Sequence, residues 1–168
     1  TSTLAPRVAF AASGDPERLS SCDWVSNARL ICQIGMVMRD WDGPVTASRL
    51  LAVNADGTEP KIVSVRQGIN AEWTSYFGGN LIDLLPSDDG AVLLGREYVP
   101  EGKIGSLIAK TKEGYGVDRV DTRSLDSKQV IAPTRLASEY ISDGLGTVRI
   151  MGVVKTASEY DSGIRRYL

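Results

Sequence analysis

The apolar residues of this chain fall in short runs bounded by polar turn residues, which is the pattern of β-strands. No stretch has the period of a long amphipathic helix, and segment 70–85, which has room for one short helical turn, is interrupted by Gly78-Gly79. The pattern therefore predicts an all-β protein, built as a sandwich, a barrel or a propeller. Strands are predicted at 29–37, 49–53, 61–65, 91–95, 106–110, 117–122 and 147–154.

The clearest turn signal lies in the stretch LLAVNADGTEPKIV, residues 50–63. Asp56-Gly57 stands between two apolar runs, and glycine accepts the positive φ that tight hairpin turns require. This stretch predicts a hairpin, and the question is whether the hairpin is isolated or part of a repeat.

Three segments of similar pattern favour a repeat: 23–34, 83–96 and 139–153. Each has an apolar or aromatic residue, a polar turn marked by Asn27, Gly90 or Gly146, and then an apolar strand. A second hairpin follows in the first two units, so that each unit holds about four strands, as a propeller blade does. Segments 35–48 and 97–106 are interpreted as insertions between strands.

The predicted fold is thus all-β: a partial β-propeller of about three four-stranded antiparallel blades occupying residues 1–168. The blades are expected at roughly 20–66, 80–132 and 138–168, the last incomplete. Asp56-Gly57 becomes the outer hairpin turn of the first blade. A small self-contained β-sandwich is the alternative fold.

Composition limits the chemistry, because the chain contains no histidine and two cysteines. A Ser-His-Asp or Cys-His nucleophile system and a His- or Cys-only zinc site cannot be built from this chain alone. G-x-S-x-G, P-loop and G-x-G-x-x-G motifs are absent as well. The sequence predicts no catalytic, cofactor-binding or metal-binding residue.

The net charge of −2 gives no reason to expect binding to nucleic acid or to an anionic membrane. No apolar run approaches the roughly 18 residues of a membrane-spanning helix.

Most of the chain, residues 22–168, resembles the N-terminal β-propeller of prolyl-oligopeptidase-type serine peptidases, in particular the bacterial dipeptidyl-aminopeptidase and acylaminoacyl-peptidase-like group. V-N-x-D-G hairpins also occur in TolB-like propellers. The resemblance is carried by five stretches: WVSNARLIC, RLLAVNADGTEPKIV, LIDLLPSDDGAVLL, GVDRVDTRS and YISDGLGTVRI.

The resemblance implies a propeller that covers an α/β-hydrolase domain and admits only short peptides to its active site. No part of that catalytic domain matches this sequence, so the chain itself is expected to hydrolyse nothing. The implied partners are the remainder of the propeller, the hydrolase domain and, through the parent enzyme, a peptide substrate. An arc of blades would expose the flanks of its end blades, so the rest of the protein is expected to be missing. A non-enzymatic, TolB-like module that binds protein partners is the alternative function.

Cys22 and Cys32 lie on either side of the predicted Ser26-Asn27 turn. A hairpin centred on Asn27 places Cys22 opposite Cys32 and Trp24 opposite Leu30, on one side of the sheet. A cross-strand disulfide is one interpretation, and two small buried side chains are the other. A disulfide would favour the periplasm over the cytoplasm.

The three tryptophans are candidates for a peptide-binding surface. Trp24, in an alternating strand, is expected to pack between blades, as aromatic residues usually do in propellers. Trp41 lies in the polar stretch MRDWDGPV and is the better candidate for a surface or peptide contact. For Trp73, both packing between blades and contact with a peptide are compatible with the sequence.

Charged clusters are weaker candidates. Asp88-Asp89 and the group Asp118, Asp121 and Asp126 lack the spacing of a calcium loop, so turn and surface roles are expected. Arg165-Arg166 would suit a substrate carboxylate, but a solvated strand end is the expected role.

Overall fold

Each strand that the structure describes pairs with the strand that precedes or follows it in the sequence. The structure is a computed structural model that describes residues 8–64, 67–85, 90–103, 105, 108–155 and 166–168. Within these ranges the regular secondary structure is entirely β. The strands are β1 (Glu17–Ser26), β2 (Arg29–Asp40), β3 (Gly43–Asn54), β4 (Lys61–Ile62), β5 (Asn80–Asp83), β6 (Ala91–Tyr98), β7 (Gly114–Asp121), β8 (Ser127–Thr134), β9 (Ala137–Ser142), β10 (Val148–Val153) and β11 (Arg166–Tyr167).

The strands form three antiparallel sheets. Sheet 1 has the order β1-β2-β3-β4, sheet 2 the order β5-β6-β7-β8, and sheet 3 the order β9-β10-β11. The sheets span residues 17–62, 80–134 and 137–167. The sequence predicts blades at 20–66, 80–132 and 138–168.

Sheet 2 lies between the other two sheets and buries side chains on both of its faces. Val92 and Leu94 belong to one apolar cluster with Ile31 and Leu50 of sheet 1. Their chain neighbours Ala91 and Leu93 belong to a second cluster, which includes Tyr140 of sheet 3. Successive residues of a strand point to opposite faces, so the unbroken apolar run of β6 supplies both clusters. Full burial of a Val or Leu side chain stabilises a fold by roughly 1.5–3 kcal/mol.

The first hairpin has the register that the sequence predicts: Cys22 lies opposite Cys32, and Trp24 opposite Leu30. A shift between Trp24 and Ser26 pairs Ser26 with Arg29, so the turn residues are Asn27 and Ala28, one position later than expected.

Segment 35–48 is not an insertion, and that prediction is wrong. It contains the far ends of β2 and β3, which pair without a shift from Arg29↔Asn54 to Asp40↔Gly43. Trp41 and Asp42 form the turn. The segment is polar because this part of the hairpin extends beyond the pairings that β1 and β4 make, and its side chains are largely exposed there.

Two other expectations fail in part. Residues 108–110 of the predicted strand 106–110 form no strand, and Ile108 is 99% exposed. The other two residues of that prediction, 106 and 107, lie outside the described ranges. Val65 of the predicted strand 61–65 lies outside them as well. Segment 70–85 contains no helical turn but runs extended into β5.

Candidate functional site

The first strands of the three sheets, β1, β5 and β9, border one open cavity of about 1010 Å³. The cavity lies where these strands end, which we call the turn end of the stack. It is lined by Asp23, Trp24, Val25, Ser26, Asn27, Leu81, Ile82, Asp83, Leu84, Ser142 and Gly144.

Arg29 fixes sheet 1 against sheet 2 at the turn end. Its side chain is fully buried. Nε donates a hydrogen bond to Oγ1 of Thr122 at 3.2 Å, and Nη2 donates to the Thr122 carbonyl oxygen at 2.8 Å. Nη1 donates to Oδ1 of Asn54 at 2.7 Å. Burial lowers the pKa of Arg29, and the Arg123 charge adds to this effect. The contacts cross from β2 to the end of β7, so they hold two walls of the cavity at a set distance.

Asp83 and Ser142 join sheet 2 to sheet 3 at the same end. Oδ2 of the buried Asp83 accepts a hydrogen bond from the Gly146 amide at 2.9 Å, and Ser142 Oγ donates to the Ile82 carbonyl at 3.2 Å. In the turn between β9 and β10, the Leu145 amide donates to Asp143 at 2.9 Å and lowers the pKa of that carboxyl. Sheet 3, which forms the third wall of the cavity, is therefore also anchored to sheet 2 by polar contacts.

The cavity has binding groups but no arrangement for nucleophilic catalysis. Its hydroxyls belong to Ser26 and Ser142, and its carboxylates to Asp23 and Asp83. Because the chain has no histidine, neither hydroxyl has an imidazole base. Among the described residues, no group of three or more His, Cys, Asp or Glu side chains is placed to hold a metal ion. What the cavity offers is apolar and hydrogen-bonding contact.

A disulfide joins Cys22 of β1 to Cys32 of β2, with an S–S distance of 2.04 Å. Cys32 is fully buried, whereas Cys22 is exposed on the edge strand of sheet 1. Trp24 lies two residues further along β1, so the bond anchors the strand that carries the cavity's aromatic residue.

The structure places the three tryptophans at separate positions. Trp24 is 58% exposed and lines the cavity, so the expectation that it packs between sheets is wrong. It lies opposite Leu30 in the edge strand β1. Trp41 is 90% exposed at the tip of the β2–β3 hairpin, and its role as a contact residue stays a prediction. Trp73 lies in the connection between sheets 1 and 2, where Nε1 donates to Glu97 Oε1 at 3.3 Å.

The predicted carboxylate group has structural contacts. Asp118 is fully buried and pairs with Arg96, while Tyr98 donates to Oδ1 and Ser127 to Oδ2. Asp121 accepts from the amides of residues 123 and 124 in the β7–β8 turn, where the Ser124 amide lowers its pKa the most.

The remaining charged candidates add no further site. The amide of Asp126 bonds Ser124 Oγ in the same turn, as expected of a turn residue. Asp88-Asp89 and Arg165 lie outside the described residues, while Arg166 belongs to β11.

Two arginines were missed by sequence reasoning: Arg29, which is buried, and Arg96, which is partly buried. In NARLIC, Arg29 directly follows a turn and stands at the start of an apolar run. A charged residue that is only solvated in a loop is unusual at such a position. That position was the available signal for Arg29. Arg96 follows an apolar run in the same way, at the end of "AVLLGR".

Comparison with family models, curated proteins and solved structures finds no match to this chain. No described segment is an apolar helix of the length that a bilayer crossing requires. The class that fold and cavity define is therefore an all-β protein of stacked antiparallel sheets with an open cavity along their first strands.

Proposed function

We propose that this chain is an arc of a β-propeller and that it acts by binding and steric restriction rather than by catalysis. The observation that carries the proposal is the shared cavity: the first strand of each sheet borders it. In a propeller, radially arranged four-stranded sheets surround a central channel. The order of the sheets in the stack follows the order of the chain, as in a propeller.

The outer face of sheet 3 supports the same proposal. Ile141 and Ile150 lie opposite each other on the side of sheet 3 that faces away from sheet 2, and they are 43% and 38% exposed. On the outer side of sheet 1, by contrast, Cys32, Leu51 and Val53 are buried and Ile62 is exposed. Both inner interfaces of the stack bury apolar residues, so a further sheet of the same kind is the proposed cover of sheet 3.

The proposed parent is a serine peptidase of the prolyl-oligopeptidase type, in which the cavity would be part of the passage for short peptides. The motifs quoted above support this proposal, together with a cavity that offers apolar and hydrogen-bonding contact and has no histidine in its lining. The second candidate is a TolB-like module that binds protein partners, and the exposed Trp41 tip favours it.

Titration of the purified protein with acetylated tri- and tetrapeptides, followed by ¹⁵N NMR, tests the binding role. We expect shifts confined to 23–27, 81–84 and 142–144, no turnover of aminoacyl or acylaminoacyl chromogenic substrates, and weaker binding by Trp24→Ala than by the control Val130→Ala. Val130 is a partly exposed strand residue outside the cavity lining.

Turnover by this chain would overturn the non-catalytic role, and shifts that avoid the cavity would overturn the binding site. The gene sequence after Leu168 tests the parent: a G-x-S-x-G elbow followed by Asp and His supports the peptidase, and further blades alone support the binding module.

A further inference from the structure

The tip of the β2–β3 hairpin, residues 37–46, extends beyond the two strands that flank the hairpin. β1 pairs with β2 only as far as Met36, and β4 pairs with the opposite end of β3. The pair that closes the turn is Asp40 with Gly43, and the next pair includes Pro44, which has no amide hydrogen to donate. Backbone hydrogen bonds at such an exposed end open more readily than those inside a sheet.

Asp42 stands in this turn directly before Gly43, and an aspartate in that position can form a ring with its own backbone. Glycine has no side chain to hinder its nitrogen. The Gly43 nitrogen attacks Cγ of the protonated Asp42 carboxyl and loses its proton, while the hydroxyl of that carboxyl leaves as water. Water then opens the succinimide ring, and opening at the former backbone carbonyl gives isoaspartate, in which the chain passes through Cβ and Cγ. The first step releases the water that the second consumes, so no other reactant is needed.

The chain offers several aspartates for this reaction. Its sequence contains four Asp-Gly steps, and the structure describes the aspartates of three: Asp42, Asp56 and Asp143. The fourth, Asp89, lies outside the described residues. All three described aspartates are exposed, so access to water does not distinguish them.

Hydrogen bonds hold the carboxylates of Asp56 and Asp143 in place. Oδ1 of Asp56 accepts from the amide and the hydroxyl of Thr58 at 3.0 and 2.6 Å. Oδ1 of Asp143 accepts from the Leu145 amide at 2.9 Å, and its Oδ2 accepts from Arg149 Nε at 2.9 Å. The Thr58 hydroxyl lowers the pKa of Asp56, and the Leu145 amide lowers the pKa of Asp143. Ring closure requires a protonated carboxyl that rotates toward the following nitrogen, so these contacts oppose it at both steps.

The Asp42 carboxylate has no such restraint. Among the described residues, none donates a hydrogen bond to it or forms an ion pair with it. The carboxylate that ties the tip to the fold is that of Asp40, which accepts from the Tyr76 hydroxyl and from the Trp41 amide. A Cβ built on Gly43 would meet nothing within 4 Å, so there is room for the ring beside the Gly43 nitrogen.

We propose that Asp42 is a modification site, at which aspartate converts to isoaspartate as the protein ages, in preference to Asp56 and Asp143. The product adds a backbone carbon to the two-residue turn, and such a turn no longer closes the hairpin in the same way. Trp41, which is 90% exposed in that turn, takes a new position as a result. The site lies at the far end of the hairpin from the turn-end cavity and does not depend on the proposed function.

Ageing of the purified protein at neutral pH and body temperature, followed by digestion with trypsin, tests the proposal. The three steps fall on separate tryptic peptides, 40–49, 50–61 and 136–149, and electron-transfer fragmentation distinguishes isoaspartate from aspartate in each. In the folded protein we expect about tenfold more isoaspartate at Asp42 than at either other site, a factor that a hydrogen bond to a charged group can supply. Protein aged in urea should lose this preference, because unfolding releases all three carboxylates.

Asp42→Glu keeps the charge but would have to form a six-membered ring, which closes far more slowly. We expect this substitution to abolish the isoaspartate signal of peptide 40–49. Asp56→Glu is the matched control and should leave that signal unchanged. Similar isoaspartate yields at the three sites of the folded protein, or the same preference for Asp42 after ageing in urea, would overturn the proposal.

Discussion

Arg29 illustrates how one side chain can define the relation between two sheets. Its guanidinium is planar with several donors, so it reaches Thr122, which directly follows β7, and Asn54 on β3 at once. Leaving such buried acceptors without a donor costs roughly 1–3 kcal/mol each. Periodicity did not reveal this contact, since it depends on which sheet lies opposite.

Arg29→Ala is expected to lower the free energy of unfolding by about 3 kcal/mol, because it leaves the Thr122 and Asn54 oxygens without their donor. Urea denaturation measures the loss. Arg18→Ala, on the exposed strand β1, is the control and should change stability by less than about 0.5 kcal/mol. A similar effect of both substitutions would show that Arg29 does not join the sheets.

At the scale of elements, the sequence predicts the strands whose apolar residues are buried and misses those whose residues are exposed. The unbroken apolar run marks β6, and Val117 and Val120 mark β7, because both strands pack against neighbours. The start of β1 and half of β8 are exposed, so no apolar pattern distinguishes them from loops. The facing of Cys22 and Cys32 agrees with the prediction although the turn lies one position later, because the register shift between Trp24 and Ser26 offsets that difference.

The disulfide should stabilise this hairpin. Cys22→Ala combined with Cys32→Ala is expected to lower the free energy of unfolding by about 2–4 kcal/mol, because the cross-link restricts the unfolded chain. Reduction of the wild-type protein should give a similar loss. If thiol titration of the unreduced, unfolded protein finds free thiols, the bond is absent and the prediction fails.

At the scale of the whole molecule, the three sheets lie in chain order, with sheet 2 between the other two. The sequence pattern predicts the segments that form the three sheets, but it does not specify the stacking. Stacking depends on shape-matched side chains such as Leu93 and Tyr140, which come from distant parts of the chain. The cavity could not be predicted for the same reason, since its walls come from three sheets.

Ile141→Lys combined with Ile150→Lys is expected to reduce binding of a hydrophobic dye and to raise solubility, with little change in melting temperature, since both residues are partly exposed. Leu93→Lys, at a buried position between sheets 2 and 3, is the contrasting variant and should unfold the protein. Unchanged dye binding in the double variant would argue against an uncovered interface on sheet 3.

The pairing of each strand with its chain neighbours has a consequence for biosynthesis. A sheet made entirely from one continuous stretch of chain needs no residue that has yet to leave the ribosome. The strands of sheet 1 have all their paired strands before sheet 2 is translated, and sheet 2 then finds a preformed surface. Short-range pairing of this kind lowers the entropy of loop closure, so the molecule is suited to assemble one layer at a time as it is synthesised.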